Sequence, residues 1–223
     1  MKDVFIVKDE IVNRLSKIST PNISDAMFKG LSKKFKNHTM DSGIRPISTD
    51  FKICAPAYTV NCYPGATYAM ERAIVEAPAG SAIVCNGKGS DAGVMMGELM
   101  STVAQKRGLL GAVIDGAVRD INEVIELNFP LFSRHIVAQS GTADQLGELM
   151  VPITCGGVVV YPGDIVVADI NGVVVVPSDI SSAVVKAAEK LAQWEDDIKE
   201  ELLKGMTLEE AAKIHTKPEL VQI

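Results

Sequence analysis

The spacing of apolar residues changes along the chain from a helical pattern to a mixed one. Apolar positions over 9–18 recur as they do on one face of a helix, and a second short helix is expected over 24–28, ended by Gly30. The middle of the chain alternates apolar runs with helical patterns, which favours a layered α/β core with some parallel strand pairing. The strands predicted there are 51–62, 81–86 and 111–115, and the predicted helices are 68–76 and 98–107.

Beyond Pro152 the pattern becomes one of valine-rich runs separated by turn signals. The turns at Pro162-Gly163-Asp164 and Asn171-Gly172 predict successive antiparallel strands joined by tight connections. Together with the mixed middle, these runs indicate an α/β fold with β/β/α layering. Because no linker or repeat interrupts the chain, we expect one domain over residues 1–223.

The end of the chain is predicted to be helical. A long amphipathic pattern over about 179–204 predicts one helix, and Thr207 is expected to open a second. Glu210 lies three residues after Thr207, which is the spacing of a capping box. The C-terminal helical extension is therefore expected over 179–223. A small basic cluster at 29–36 is interpreted as a solvated surface loop.

Composition excludes several classes of function. The 223 residues carry a formal net charge of -6 without a basic stripe, which argues against a nucleic acid partner. No apolar run approaches the roughly 18 residues of a membrane span, and the acidic N-terminus does not resemble a secretory signal. We therefore expect no membrane association. The 4 cysteines stand singly in apolar runs, so we expect buried thiols and a cytoplasmic location.

The stretch Gly97 to Met100 is expected to begin a helix that ends near Gly108. The backbone N–H groups of Gly97, Glu98, Leu99 and Met100 could bind an anion such as a carboxylate, aided by the positive end of the helix dipole. The alternative is an ordinary helix start, in which the dipole simply favours Glu98. These residues by themselves favour that alternative.

Arg119 and Asp120 follow the predicted strand 111–115, after Gly116, which is expected to let the chain turn. Ligands of open α/β sheets lie at the carboxyl ends of strands. Arginine can grip a carboxylate with two parallel hydrogen bonds, and aspartate can hold Mg or Mn through oxygen. The pair therefore predicts a site for a small 2-oxo acid, although a surface ion pair is an equally open interpretation. Asp115 could be a second metal ligand or, as we favour, a helix cap.

Other candidate motifs are weaker. His38, His135 and His215 lack paired spacing, so a histidine-rich zinc site is not expected. The segment GKGSDAG, residues 87–93, has glycine intervals that match neither dinucleotide nor phosphate-loop motifs. We interpret it as a loop at the mouth of the site.

The stretch GELMSTVAQKRGLLGAVIDGAVRD and the later PGDIVVADINGVVVVP closely resemble the family shared by 4-hydroxy-4-methyl-2-oxoglutarate aldolases and the regulator of ribonuclease activity A. The resemblance runs from about Ser19 to Pro177. It implies a fold like the swivelling phosphohistidine domain, assembled as a homotrimer or hexamer. It also implies a divalent metal, cleavage of 4-hydroxy-4-methyl-2-oxoglutarate or 4-carboxy-4-hydroxy-2-oxoadipate to pyruvate, and oxaloacetate decarboxylation.

Site residues follow from the same resemblance, position by position. Gly97, Glu98, Leu99 and Met100 match the segment whose backbone binds substrate, Arg119 the substrate-binding arginine, and Asp120 the metal ligand. Many relatives have an acid where this chain has Asn86, so no catalytic role is assigned there. Members can also use an acid from a neighbouring subunit, for which the candidates are Glu195, Asp196 and Asp197.

The sequence leaves three functions in competition. The leading hypothesis is a metal-dependent, class II pyruvate aldolase with oxaloacetate decarboxylase activity. The second is a noncatalytic regulator that binds a ribonuclease complex, as in the other branch of the family. A third, a menaquinone methyltransferase, would need a cofactor-binding glycine motif, which residues 87–93 do not supply.

Overall fold

A curved mixed sheet organises the chain. The computed structural model describes residues 9–32, 38–143 and 146–219. The strands within these residues are β1 (Arg45–Pro46), β2 (Ile53–Asn61), β3 (Ala82–Asn86), β4 (Val94–Met96), β5 (Gly111–Val118), β6 (Leu131–Ile136), β7 (Glu148–Leu149), β8 (Ile153–Cys155), β9 (Val158–Val160), β10 (Ile165–Asp169) and β11 (Gly172–Val176). Of these, 9 join in one sheet of order β1-β6-β5-β3-β2-β10-β11, with β4 beside β5 and β7 beside β2, and β8 pairs with β9 in a second sheet.

Helices flank this sheet. They are α1 (Asp9–Leu15), α2 (Thr20–Asp25), α3 (Tyr68–Glu76), α4 (Glu98–Lys106), α5 (Ile121–Glu126), α6 (Ser181–Leu203) and α7 (Leu208–Ile214). A π-helical turn, Ala26–Leu31, continues α2, and a 3₁₀ turn, Ser178–Ile180, precedes α6. Ser19 caps α2, and Pro21 lies in its first turn, where a missing N–H costs nothing.

The sheet is nearly closed into a barrel. Strands β2, β3, β5 and β6 pair in parallel, whereas β10 and β11 continue the sheet by antiparallel pairing. At the other edge, the Arg45 guanidinium of β1 donates hydrogen bonds to the carbonyls of Ile170 and Asn171, in the turn between β10 and β11. The α/β layering expected from the sequence is confirmed in this barrel-like form.

Both faces of the central strands are buried. On β5, Val113 faces a cluster inside the barrel, while Ala112, Ile114 and Val118 pack outward against α3, α4 and α5. A third cluster joins β10 and β11 to α1, α2 and α6. Strands covered on both faces read as continuous apolar runs, which explains why the sequence of β5 shows no polar alternation.

Most predicted elements appear within a few residues of their expected bounds. The helix over 68–76 matches α3, and the capping box of Thr207 and Glu210 is present at α7. Cys62, Cys85 and Cys155 are buried, Cys54 is partly buried, and all are free thiols. Burial raises the pKa of the Cys54 thiol to about 12.

Several local predictions were wrong. Gly30 lies inside the π-helical turn and does not end the helix. Gly116 does not let the chain turn, because it lies within β5, which continues to Val118. Glycine is needed there because a Cβ would lie 2.6 Å from the Sδ of Met95. Strand β9 pairs with β8 and not with β10, so the turn at Pro162 joins two strands that do not pair with each other. Of the basic segment 29–36, residues 33–36 lie outside the described residues.

Among the helices of the described segments, none combines the length and apolar character that a bilayer crossing requires.

Candidate functional site

The Arg119-Asp120 pair and the start of α4 meet at one edge of the sheet. Strand β4 runs parallel to β5, with Val94 beside Ala117 and Met96 beside Val118, so both strands end at the same edge. The Arg119 amide donates a hydrogen bond to the Met96 carbonyl at 3.2 Å. Two segments separated by about one helix in the sequence therefore converge because of parallel pairing.

Asp120 adopts a left-handed conformation, with φ 59° and ψ 46°, at the residue before α5. This conformation is uncommon for a residue other than glycine. It turns the carboxylate toward α4, where Oδ2 accepts a hydrogen bond from the Glu98 amide at 3.1 Å. The same oxygen lies 3.4 Å from Nε of Arg119. Asp120 thus binds the first turn of one helix while preceding another.

Gly97 is required by this arrangement. It precedes α4 in an extended conformation that any residue can adopt, so backbone strain is not the reason for glycine. A Cβ at Gly97 would lie 2.5 Å from Oδ2 of Asp120 and 3.1 Å from Cγ of Arg119. Only a residue without a side chain allows the two segments to approach so closely.

Arg119 has its guanidinium placed at the surface of the site. Its Nη1 donates a hydrogen bond to Oγ of Ser140 at 3.2 Å, and its Nε faces Asp120. The side chain remains 40% exposed. The two contacts orient the planar group but leave N–H donors for an anionic ligand.

A cavity of about 210 Å³ opens beside this pair. Its volume suits a small ligand. The lining residues are Thr67, Glu71, Val94, Met95, Met96, Gly97, Leu99, Met100, Arg119, Asp120, Ser140 and Gly141. The structure therefore brings the predicted residues Gly97, Leu99, Met100, Arg119 and Asp120 together around one space.

The predicted amide segment divides into two parts. The amide of Glu98 already donates to Asp120, and the Glu98 side chain is exposed and does not line the cavity. Leu99 and Met100 do line it. As the next residues of the first turn, their amides have no acceptor within the helix and can bind a ligand oxygen.

Asp120 is also the residue that could hold a divalent cation. Its Oδ1 accepts no hydrogen bond from the described residues, while Oδ2 is engaged as above. No group of three or more His, Cys, Asp or Glu side chains that could hold a metal occurs among the described residues. One carboxylate fits Mg²⁺, which commonly keeps several waters and binds through one or two carboxylates and the substrate.

Asp115 is not a helix cap, contrary to the interpretation favoured from the sequence. It lies within β5 and is 7% exposed. Its Oδ1 accepts from Nε of Arg134 at 2.5 Å, and its Oδ2 accepts from the Gly156 amide at 2.7 Å. The hydrogen bond from Arg134 to Asp115 raises the pKa of the arginine. This pair joins β5, β6 and the turn between β8 and β9.

The glycine-rich loop also has a structural role. Gly89 donates to the Asp115 carbonyl, and the Gly89 carbonyl lies 3.1 Å from Nε2 of His135. Residues 87–92 do not line the cavity, although Gly93 packs against Gly141, which does. Asn86 bonds to Asn61 and to the Lys88 amide.

Sequence reasoning missed Thr67, Glu71 and Ser140. The Thr67 amide donates to the Thr142 carbonyl, and the Thr142 amide donates to the Gly65 carbonyl, each at 2.8 Å. These bonds bring two distant loops beside Arg119. Single polar residues in such loops carry no local signal of their position in space.

The candidate acids for a neighbouring subunit lie elsewhere on this chain. Glu195, Asp196 and Asp197 belong to α6, which packs against α2 and the cluster of β10 and β11. Glu195 accepts a hydrogen bond from Asn22, and Asp197 from Gln193. Their role across a subunit boundary stays a prediction.

Comparison with known proteins gives a consistent result. Residues 20–175 match the model of the RraA-like family, described as Aldolase/RraA. The chain is 34% identical over 191 residues to a protein of Halalkalibacterium halodurans that carries the provisional name of a 4-hydroxy-4-methyl-2-oxoglutarate aldolase. That alignment covers 86% of this chain and 87% of the relative.

Two solved structures extend the comparison. An uncharacterized protein from Pseudomonas syringae pv. tomato has a TM-score of 0.83 and 32% identity, covering 93% of this chain and 95% of that one. RraAS2 of Streptomyces coelicolor, described as an unusual member of the RNase ES inhibitor RraA family, has a TM-score of 0.74 and 26% identity. Coverage is 85% of this chain and 96% of that one.

Proposed function

The chain belongs to the RraA-like (Aldolase/RraA) family, and on that premise we propose that it is a divalent-metal-dependent carbon–carbon lyase that releases pyruvate. The proposed substrates are 4-hydroxy-4-methyl-2-oxoglutarate or 4-carboxy-4-hydroxy-2-oxoadipate, with oxaloacetate decarboxylation as a second activity. The observation that carries the proposal is the convergence of Arg119, Asp120 and the first turn of α4 on one small cavity.

Each residue has a defined task in this proposal. Arg119, oriented by Ser140 and Asp120, binds the carboxylate of the 2-oxo acid through its remaining donors. The amides of Leu99 and Met100 donate to ligand oxygens, aided by the positive end of α4. Asp120 would hold Mg or Mn through Oδ1. When bound, the cation supplies a Lewis acid that polarises the 2-oxo group and stabilises the enolate.

The proposed cleavage is a retro-aldol reaction, which needs no oxidant or reductant. The 4-hydroxyl loses its proton to a base, the bond between C3 and C4 breaks, and the electron pair passes to the pyruvate enolate. Water then protonates C3. In decarboxylation of oxaloacetate, carbon dioxide leaves instead of a carbonyl compound, and the same enolate forms. The groups that bind pyruvate serve both reactions.

We also propose that the protein acts as a homotrimer or hexamer. Leu99 is 77% exposed and Val103 is 46% exposed on α4 beside the cavity, which is apolar area that a second copy could cover. Sedimentation analysis of the purified chain tests the assembly.

The activity is tested with oxaloacetate and 4-hydroxy-4-methyl-2-oxoglutarate, with added Mg²⁺ or with EDTA. Arg119→Ala and Asp120→Ala are expected to lower kcat/KM on the order of 100-fold or more, because each removes a group that stabilises developing charge. Arg107→Ala, at the opposite end of α4, is the matched control and should retain activity. Unchanged turnover in both site variants would overturn the assignment.

The noncatalytic alternative has one observation in its favour, the structural likeness to an RNase inhibitor family member. It predicts stoichiometric inhibition of an endoribonuclease by purified protein that lacks metal-dependent lyase activity. Lyase activity that depends on Arg119, without such inhibition, would exclude it.

A further inference from the structure

Ser140 lies in a segment, residues 139–142, that is placed by backbone contacts. The segment follows β6 and belongs to no helix or named strand, and the Ser140 side chain is exposed. The carbonyl of its first residue accepts a hydrogen bond from the Val94 amide at 3.0 Å. Its last residue, Thr142, forms an isolated parallel bridge with Ala66. Because exposed side chains add little packing, these backbone contacts decide where the Ser140 hydroxyl lies.

Three glycines form the junction between this segment and its two neighbours. Gly65 lies in the loop before α3, Gly93 precedes β4, and Gly141 lies in segment 139–142. A Cβ on Gly93 would lie 3.2 Å from Cα of Gly141 and 3.5 Å from Cα of Gly65. The three backbones are therefore in contact, with no side chain between them. We call these three residues the glycine junction.

Gly141 has no space for a side chain. A Cβ there would overlap the Val94 carbonyl oxygen, and it would lie 2.5 Å from the Gly65 carbonyl oxygen and 2.9 Å from Cγ2 of Thr67. Its φ does not lie in the left-handed region, so space and not backbone strain is the reason for glycine. Two of the crowded atoms belong to the backbone and cannot rotate away. A methyl group at this position would therefore push the segment away from the junction and move Ser140 with it.

The glycine junction is connected to Arg119 on two sides. Val94, which follows Gly93, pairs in register with Ala117, two residues before Arg119. Ser140, which precedes Gly141, accepts a hydrogen bond from Nη1 of Arg119 at 3.2 Å. The backbone and the guanidinium of Arg119 are thus held by the same junction. A displaced segment would move the Ser140 oxygen relative to the arginine.

We propose that Gly141 is a positioning residue, which through the glycine junction sets where Ser140 holds the Arg119 guanidinium and thereby how a carboxylate is bound beside Asp120. This inference rests on the proposed function, because it assigns the carboxylate of the 2-oxo acid to Arg119. A guanidinium binds a carboxylate best when two of its N–H groups are aligned with the two oxygens. Its orientation therefore contributes to affinity in addition to its charge.

The kinetic test uses Gly141→Ala in the Mg²⁺-loaded protein with oxaloacetate. KM is expected to rise about tenfold and kcat to change less than about threefold, because Arg119 stays in the site but loses its orientation. Gly147→Ala is the matched control. Its Cβ would be similarly crowded, at 2.5 Å from the Asn61 carbonyl oxygen, but Gly147 does not line the cavity, so KM should not change.

Two further variants show whether the effect passes through Ser140. Adding Ser140→Ala to Gly141→Ala should change KM by less than about twofold, whereas independent effects would multiply and contradict the proposal. Gly93→Ala displaces the segment more mildly, since its Cβ would lie 2.9 Å from the Ser140 carbonyl oxygen. It should raise KM about threefold, and it supplies the test if urea denaturation shows that Gly141→Ala does not fold.

A binding test separates this inference from the proposed activity. Calorimetry in the presence of Mg²⁺ compares pyruvate with pyruvamide, in which a neutral amide replaces the carboxylate. Gly141→Ala is expected to weaken pyruvate binding about tenfold and to leave pyruvamide binding within about twofold of the wild type. An equal loss for both ligands would overturn the proposal, because it would indicate general damage to the cavity.

The two proposals fail in different ways. If no lyase activity is found but pyruvate affinity falls selectively in Gly141→Ala, the proposed function fails and the positioning role stands. If lyase activity is present but neither KM nor pyruvate affinity changes in Gly141→Ala and Gly93→Ala, the positioning role is wrong.

Discussion

One arginine–aspartate pair, Arg134 and Asp115, joins β6 to β5, and a second pair, Arg119 and Asp120, follows the end of β5. The difference between the two pairs defines the site. Arg134 and Asp115 meet at 2.5 Å with side chains 21% and 10% exposed, whereas Arg119 and Asp120 meet at 3.4 Å with side chains 40% and 34% exposed. Both oxygens of Asp115 are bonded within the protein. Asp120 keeps one oxygen without a partner among the described residues.

Residue type alone therefore does not make a site. The buried pair joins strands and a turn, and leaving either member alone would be costly because its charge would lose its partner away from water. The exposed pair is weaker as an ion pair but retains donors and an acceptor for a ligand. One pair is thus expected to govern stability and the other activity.

The largest expected effect breaks the buried pair. Asp115→Ala should lower the free energy of unfolding by roughly 3 kcal/mol, because it removes the carboxylate that binds Nε of Arg134 and leaves the Gly156 amide without an acceptor. Urea denaturation measures this change. Asp120→Ala is the matched control, with an expected loss below about 1 kcal/mol because its surroundings are open to water. Equal losses in both variants would contradict the division of roles.

Gly97→Ala should change the position of the Asp120 carboxylate, and with it the activity. The new Cβ would displace the carboxylate of Asp120. Because a shift of about 1 Å in a catalytic group is costly, we expect kcat/KM to fall about 30-fold. Steady-state kinetics with oxaloacetate measures it. Glu98→Ala keeps the amide that binds Asp120 and should retain activity, so a similar loss in that variant would count against the geometric reason.

Ser140→Ala should loosen the Arg119 side chain of the exposed pair. The hydroxyl orients one guanidinium nitrogen, and its loss should raise KM about threefold with kcat nearly unchanged, since the arginine remains present. Ser90→Ala, in the loop that does not line the cavity, is the control. A fall in kcat with unchanged KM would show a different role for Ser140.

A smaller effect is a change in acid sensitivity at Asp41, whose exposed carboxylate accepts a hydrogen bond from Arg134. The Gly43 amide, and next the Arg134 guanidinium, lower the pKa of Asp41 below its ordinary 3.8. A lowered folded pKa stabilises the protein above the ordinary value, and this contribution is lost as the pH falls through the lowered one. The urea midpoint should therefore fall less between about pH 5 and 3 in Asp41→Asn than in the wild type. The same pH dependence of the urea midpoint in both proteins would contradict this assignment.

Local signals predicted much of the fold. Helical spacing identified α3 and α4, and the sequence around Thr207 identified the capped start of α7, because the residues that decide these features are neighbours in the chain. The predicted strand was shorter than β5 because glycine is typical of turns. In the structure Gly116 lies within the strand, where its small size allows Met95 to pack against it.

The start of α4, and the position of Arg119 and Asp120 after a buried strand, could be predicted from the sequence, since strand and helix propensities are local. Long-range packing instead places Asp115 in hydrogen bonds inside the protein and brings Asp120 and Glu71 to the lining of one cavity. Those outcomes depend on parallel pairing between β4 and β5 and on the contact of two loops near Thr67 and Thr142. Such long-range contacts form only when the whole sheet closes, so they cannot be predicted from the neighbouring residues in the chain.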